Sequence, residues 1–238
     1  MNVLALAHLP EQGSPDLLYL LFHGVGATAE HMAPLALRLA QEYPQAAVLC
    51  LSAPNPFDAV IGDTQARQWF SIRRVSETNR PRRVAAALPA FIATIRALQA
   101  RFAMPWERTA LAGFSQGAVM SLEAVQAEPL LAGRVLAFAG RHASRPAHVP
   151  TDTTLHFLHG MADNVIPAAA AIDSAQTLLA LGADVTADVL PGIGHELHPA
   201  LIDKAIEQLR SFVPKRLWRQ ALSETPALPR AASSPELG

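Results

Sequence analysis

Thr109-Ala110-Leu111-Ala112-Gly113-Phe114-Ser115-Gln116-Gly117-Ala118-Val119-Met120 is the stretch on which the fold turns. Its first half is a short apolar run of strand length, and the residues after Ser115 carry an apolar helical pattern over 116–127. Between them, Gly113-Phe114-Ser115-Gln116-Gly117 leaves room only for a sharp strand-to-helix turn. Such a turn needs glycine two places either side of the serine, where a side chain would strike the neighbouring strand or helix. It lifts the serine hydroxyl above the sheet edge, at a helix N-terminus whose free N–H groups favour a developing negative charge.

Further strand-length runs cover residues 17–23, 47–52, 134–139, 154–159 and 184–190, each bounded by turn residues. Helical patterns lie between them, over 30–42, 81–102, 168–181 and 199–212. The clearest is 81–102, where Val84, Leu88, Phe91, Ile92, Ile95 and Leu98 recur every three or four residues. This alternation predicts an α/β fold: a mostly parallel central sheet with helices on both faces, binding ligands at the carboxyl ends of its strands. A long connection over 53–71, carrying Pro54, Pro56 and Gly62, is the kind of loop that serves function. After Pro214 the chain reads as irregular. One domain over residues 1–222 is predicted, with a disordered tail over 223–238.

Half of the 238 residues are hydrophobic and 16% are charged, the composition of a globular chain with a large interior. A net charge of -1 provides no field to draw nucleic acid or an anionic membrane, which leaves a small molecule as the expected partner. Arg73, Arg74, Arg80, Arg82 and Arg83 cluster, but Glu77 interrupts them, and the group reads as a solvated loop and helix start. The single cysteine, Cys50, sits in an apolar run and reads as a core residue. No signal peptide or membrane-length apolar stretch is legible, so the cytoplasm is the expected location, without stable membrane insertion. A homodimer stays open.

A serine hydroxyl needs an imidazole to take its proton, and nine histidines compete for that role. His195, in Gly192-Ile193-Gly194-His195-Glu196, follows the last strand and stands at its carboxyl end. His198 falls at the start of the final helix and reads as a capping or surface residue; His31, His142 and His148 lack context. The acid belongs between serine and histidine in the chain, after the penultimate strand, where Asp163 lies in a polar turn. Asp152 precedes that strand and Asp173 lies inside a helix. An oxyanion would be held by the N–H of Gln116, after the nucleophile, and by that of Val25 in His23-Gly24-Val25-Gly26, after an early strand. His23 reads as structural, and this glycine loop lacks the lysine and spacing of a phosphate-binding loop. Trp69, Phe70, Ile166 and Leu197 are candidates to line an acyl pocket, with core packing as the competing role. Chemistry of this kind requires no metal or cofactor.

Taken together, Leu21-Phe22-His23-Gly24-Val25-Gly26, Arg67-Gln68-Trp69-Phe70-Ser71, Gly113-Phe114-Ser115-Gln116-Gly117-Ala118, the segment from His159-Gly160 to Asp163, and Gly194-His195 resemble the phospholipase/carboxylesterase family of α/β-hydrolases. The resemblance covers about residues 17–222. It implies the α/β-hydrolase fold, Ser115, Asp163 and His195 as a catalytic triad, and a small acyl ester or thioester as substrate. Two positions depart from the family pattern. Ala27 stands where an aspartate is usual, and Ala118 replaces a second glycine common in the acyl-protein thioesterase branch. Rival expectations are a lysophospholipase, which applies the same chemistry to a lipid, and a hydrolase scaffold that only binds.

Overall fold

The computed structural model describes residues 4–58 and 65–224. Seven strands form the main sheet: β1 (Leu4–His8), β2 (Leu17–Phe22), β3 (Ala46–Leu51), β6 (Thr109–Phe114), β7 (Arg134–Phe138), β8 (Thr154–Gly160) and β9 (Asp184–Leu190). Two short strands, β4 (Asn55–Pro56) and β5 (Arg67–Gln68), pair by themselves and tie together the two described ends of the long connection. The helices are α1 (Ala33–Glu42), α2 (Arg80–Arg101), α3 (Gln116–Ala127), α4 (Ala168–Ala180), α5 (Pro199–Ser211) and α6 (Lys215–Glu224).

The sheet runs β1-β3-β2-β6-β7-β8-β9, parallel throughout except for β1. From β2 the chain steps to β3 on one side and then returns to lay β6 on the other. The order therefore reverses between β2 and β6, and their carboxyl ends open the crevice where such sheets bind ligands. Side chains alternate between the faces. Leu18, Leu20 and Phe22 join Leu111, Val135, Leu155 and Phe157 against α2, α3 and α4. Tyr19 and Leu21 join Val48, Ala112, Leu136 and Phe138 against α1 and α5. Each large apolar side chain buried this way contributes about 1.5–3 kcal/mol before entropy is subtracted.

The sheet and its helical cover are those predicted, and the differences are at the margins. β1 is an antiparallel edge strand that the sequence reading leaves unassigned. The first helical stretch begins as a 3-10 turn over Ala29–Met32, with α1 starting at Ala33, beside Pro34. The expectation of irregular chain after Pro214 is overturned by α6. That helix buries no apolar face, since Trp218 is 59% and Leu222 72% exposed. Polar bonds dock it instead: the Lys215 N–H donates to Asp184 Oδ2 over 2.6 Å, and Arg219 pairs with Asp152. A reading built on apolar periodicity has no signal for such a helix. Of the tail predicted over 223–238, residues 223–224 instead close α6 and residues 225–238 lie outside the described residues; among those described no helix is long and apolar enough to cross a membrane.

Candidate active site

The turn at Ser115 is the tightest point on the sheet edge. Ser115 has φ 52° and ψ -112°, a left-handed conformation that costs a non-glycine residue about 1–3 kcal/mol. Its surroundings enforce it. The Ser115 N–H donates to Phe138 O over 2.9 Å. A Cβ on Gly113 would lie 2.3 Å from the Gly117 carbonyl carbon, and one on Gly117 would lie 2.1 Å from Phe22 O. Only glycine lets β6, α3 and the end of β2 come so close.

Two distant segments converge on this serine. Ser115 Oγ lies 2.9 Å from His195 Nε2, and His195 Nδ1 lies 2.7 Å from Asp163 Oδ2. An anionic carboxylate only accepts, so the imidazole proton sits on Nδ1 and the Nε2 lone pair faces the hydroxyl. Asp163 Oδ1 accepts from the N–H groups of Val165 (2.9 Å) and Ile166 (2.8 Å). Burial acts to raise the Asp163 carboxyl, but the bonds from His195, Ile166 and Val165 outweigh it and hold it below the usual carboxylate range. His195 can reach this place because β8 ends in glycine: a Cβ on Gly160 would sit 2.2 Å from Ile193 O, where the loop from β9 crosses. The Phe114 ring backs the imidazole at 5.0 Å.

The glycine loop after β2 arches over the serine, with the Gly24 Cβ position only 3.3 Å from Ser115 Cβ. Gly26 has φ 72° and donates its N–H to Arg67 O over 2.8 Å, while the Arg67 N–H donates to Ala27 O over 3.0 Å. This pairing fixes the loop through the backbone at Ala27. As the first residue of α3, Gln116 has no carbonyl one turn earlier to receive its N–H.

His23 is buried, donates from Nδ1 to Gly24 O over 2.7 Å and accepts at Nε2 from the Ala53 N–H over 3.0 Å. Burial depresses its imidazole below the ordinary range, and it stays neutral, a structural brace for the loop. His198 caps α5 by accepting from the Ala200 N–H over 3.1 Å. Cys50 is buried in the core, and desolvation pushes its thiol up to about 12.

The candidate pocket residues fall into two pairs. Ile166 and Leu197 are half-buried on the loops that carry Asp163 and His195. Trp69 and Phe70 are buried in the core, and the Trp69 ring packs edge-on against Phe22 and Phe91. Trp69 also lines an apolar cavity of about 220 Å³ with Pro54, Ala87, Phe91 and Met120, and Ser115 is not part of its wall.

What the sequence does not reveal is the side chain of Gln116. Its Oε1 accepts from the Trp69 N–H over 2.7 Å and its Nε2 donates to Phe70 O over 2.8 Å, while the indole of Trp69 donates to His23 O over 2.9 Å. The residue after the serine thus clamps a segment 47 positions earlier, which in turn holds the base of the glycine loop. The one signal in the sequence is a polar amide opening a helix whose next four residues, Gly117 to Met120, are apolar or small. His159 is a second such residue: its Nε2 donates to Ile166 O over 2.8 Å and lies 3.2 Å from Asp163 Oδ2, reinforcing the acid's loop. Among the described residues, no three His, Cys, Asp or Glu side chains form a metal-binding group.

The model of the phospholipase/carboxylesterase family matches residues 10–213. The chain is 41% identical to the esterase YpfH of Escherichia coli (strain K12) over 214 residues, 90% of each protein. It is 30% identical to acyl-protein thioesterase 1 of Gibberella zeae over 118 residues, 46% of this chain and 50% of that protein. Among solved structures, esterase PE8 superposes with a TM-score of 0.80 at 24% identity, covering 89% of this chain and 99% of the other, a likeness of fold.

Proposed function

The chain belongs to the phospholipase/carboxylesterase family of α/β-hydrolases, and on that premise we propose that it hydrolyses short- to medium-chain acyl esters or thioesters through Ser115, His195 and Asp163. The observation that carries the proposal is the continuous hydrogen-bond chain from Ser115 Oγ through the imidazole to Asp163 Oδ2, at 2.9 Å and 2.7 Å.

As Ser115 Oγ attacks the acyl carbon, its proton passes to His195 Nε2. Asp163 stabilises the resulting imidazolium and fixes the tautomer that made Nε2 the acceptor. Charge gathers on the carbonyl oxygen, toward which the N–H groups of Val25 and Gln116 are assigned; one such donor is worth about 10²–10³-fold in turnover. The tetrahedral intermediate collapses, and the alcohol or thiol departs with the proton from His195. Water, deprotonated by the same nitrogen, then attacks the acyl-Ser115 ester, and the carboxylic acid leaves as the serine regains its proton. All protons move between these groups and water, so the scheme calls for no metal or cofactor. Ile166 and Leu197 are assigned to the acyl side of the site.

The likeness to a fungal acyl-protein thioesterase over about half the chain favours acyl thioesters as a second substrate class. A panel of p-nitrophenyl esters and acyl thioesters of increasing chain length, with lysophosphatidylcholine as the lipid arm, separates the readings. Fluorophosphonate should label Ser115, and Ser115→Ala should abolish turnover on every substrate. Retention of most activity by that variant, or labelling at another residue, refutes the site assignment.

A further inference from the structure

At the end of the sheet opposite Ser115, the starts of β2, β6 and β7 border a cavity of about 210 Å³ lined by Tyr19, Tyr43, Arg134 and Arg216, among others. A space of roughly 10–15 Å³ already admits one water, so this one has room for a polar group with its own shell. Of the three arginines in its wall, Arg134 and Arg216 have no ion-pair partner among the described residues, and Asp152, Glu107 and Asp184 act on Arg216 only from farther away.

Arg134 opens β7. Its Nη2 donates to Phe212 O over 2.9 Å, and its Nη1 lies 3.0 Å from His156 Nε2. Burial, and next the Arg134 charge, push the His156 imidazole down to about 3. The ring is therefore neutral: Nδ1 donates to Thr186 Oγ1 over 2.9 Å, and Nε2 accepts from the arginine. Arg216, on α6, makes only long bonds, 3.3 Å to Gly133 O and 3.4 Å to Asp152 O and Glu107 O, and stacks over the Trp106 ring at 5.8 Å. Among the described residues neither arginine has a carboxylate within ion-pair distance. Nearby acids are engaged elsewhere: Glu42 with Arg38 and Arg210, Asp152 with Arg219, Asp184 with Lys215. Glu107, exposed at the cavity wall, is the one acid lining it.

Two cations taken partly out of water are costly when unpaired. Desolvation, with Arg216's proximity next for Arg134, lowers both guanidinium pKa values from the ordinary range. The hydroxyls of Tyr19 and Tyr43 and the side chains of Thr109 and Arg108, the latter 4.0 Å from Asp16 Oδ1, line the same cavity. Burial raises the Tyr19 pKa, so its phenol keeps its proton, which it donates to the Tyr43 hydroxyl.

We propose that this cavity is a binding site for a small oxyanion, a phosphate or carboxylate group, held between Arg134 and Arg216 and separate from the hydrolytic centre. Planar guanidinium groups match the oxygens of such anions. The ligand joins the start of β7 to α6, so occupancy stabilises the C-terminal helix against the sheet.

Thermal melts of the full chain test this, with sodium phosphate and sodium acetate as separate arms and sodium chloride at equal ionic strength as reference. Arg134 is left unchanged because it also secures Phe212 and His156; the variants are Arg216→Gln and Arg216→Lys. At ten times its Kd, the bound oxyanion should raise the wild-type Tm by roughly 3–6 °C beyond chloride. Arg216→Gln should lose that rise and Arg216→Lys keep part of it, whatever either substitution does to the ligand-free Tm. An Arg216-dependent rise with either anion supports the site and identifies which group it prefers. No rise beyond chloride in either arm, or an equal rise in wild type and Arg216→Gln, overturns the proposal.

Discussion

Replacing His142 with leucine should stabilise the protein at pH 7 and stabilise it by a further 2 kcal/mol or so at pH 5. His142 lies on the connection from β7 to β8, 3% exposed, with its ring 6.0 Å from that of Phe157 and neither nitrogen bonded to another protein group. Burial alone pushes the imidazole from its ordinary 6.5 down to about 3. Between those limits the unfolded chain binds a proton that the folded chain refuses. The folded value is the depressed one, so the stability associated with the neutral ring is complete above about pH 6.5 and falls as the pH drops, until the folded site also protonates near 3. At pH 5 the solution is roughly one and a half units below the unfolded value, at about 1.4 kcal/mol per unit, which gives the 2 kcal/mol. At pH 7 that difference has nearly vanished, and leucine gains only what the unpaired nitrogens cost, about 1–3 kcal/mol. His156 is also depressed to about 3, but it is present in both proteins and cancels in the comparison. Urea denaturation of wild type and His142→Leu at the two pH values measures the effect. A stability difference that is the same at pH 5 and pH 7 refutes the claim that this histidine folds as a dry, uncharged ring.

Gln116→Leu should strip two buried backbone groups, the Trp69 N–H and the Phe70 carbonyl, of their partners, at about 1–3 kcal/mol each. Thermal melts should show that loss and ester assays a lower kcat, since the tether from Trp69 to His23 loosens with it. Gly160→Ala drives a Cβ into Ile193 O, and the loop bearing His195 must move; circular dichroism should stay native while turnover falls on the order of 10²-fold. Asp163→Asn removes the acceptor that selects the imidazole tautomer and should cost on the order of 10⁴ in kcat, with fluorophosphonate labelling of Ser115 slowed in step.

Much of this could be read from the chain because the deciding signals are local. β6 and α3 were placed to the residue, since Gly113 and Gly117 mark where one apolar period must give way to another. Asp163 and His195 were legible because each follows a strand whose carboxyl end is fixed by a polar turn. β1 and α6 were not. β1 is a short edge strand without a helical crossover to announce it, and α6 is fastened by Lys215, Arg216 and Arg219 rather than by a buried stripe. The clamp of Gln116 on Trp69 and Phe70 was equally hidden, because its meaning lies in a segment 47 residues away that nothing nearby points to. The sequence marks Trp69 by its aromatic ring, whereas its backbone N–H and indole N–H are its bonds to Gln116 and His23.

Ser115 and His195 are 80 residues apart, and strands β7, β8 and β9 must be laid down before the two can touch. A polypeptide emerging from the ribosome would therefore expose its hydroxyl long before the group able to activate it exists. On the proposed mechanism the nascent chain carries an unactivated serine until that last loop clears the exit tunnel.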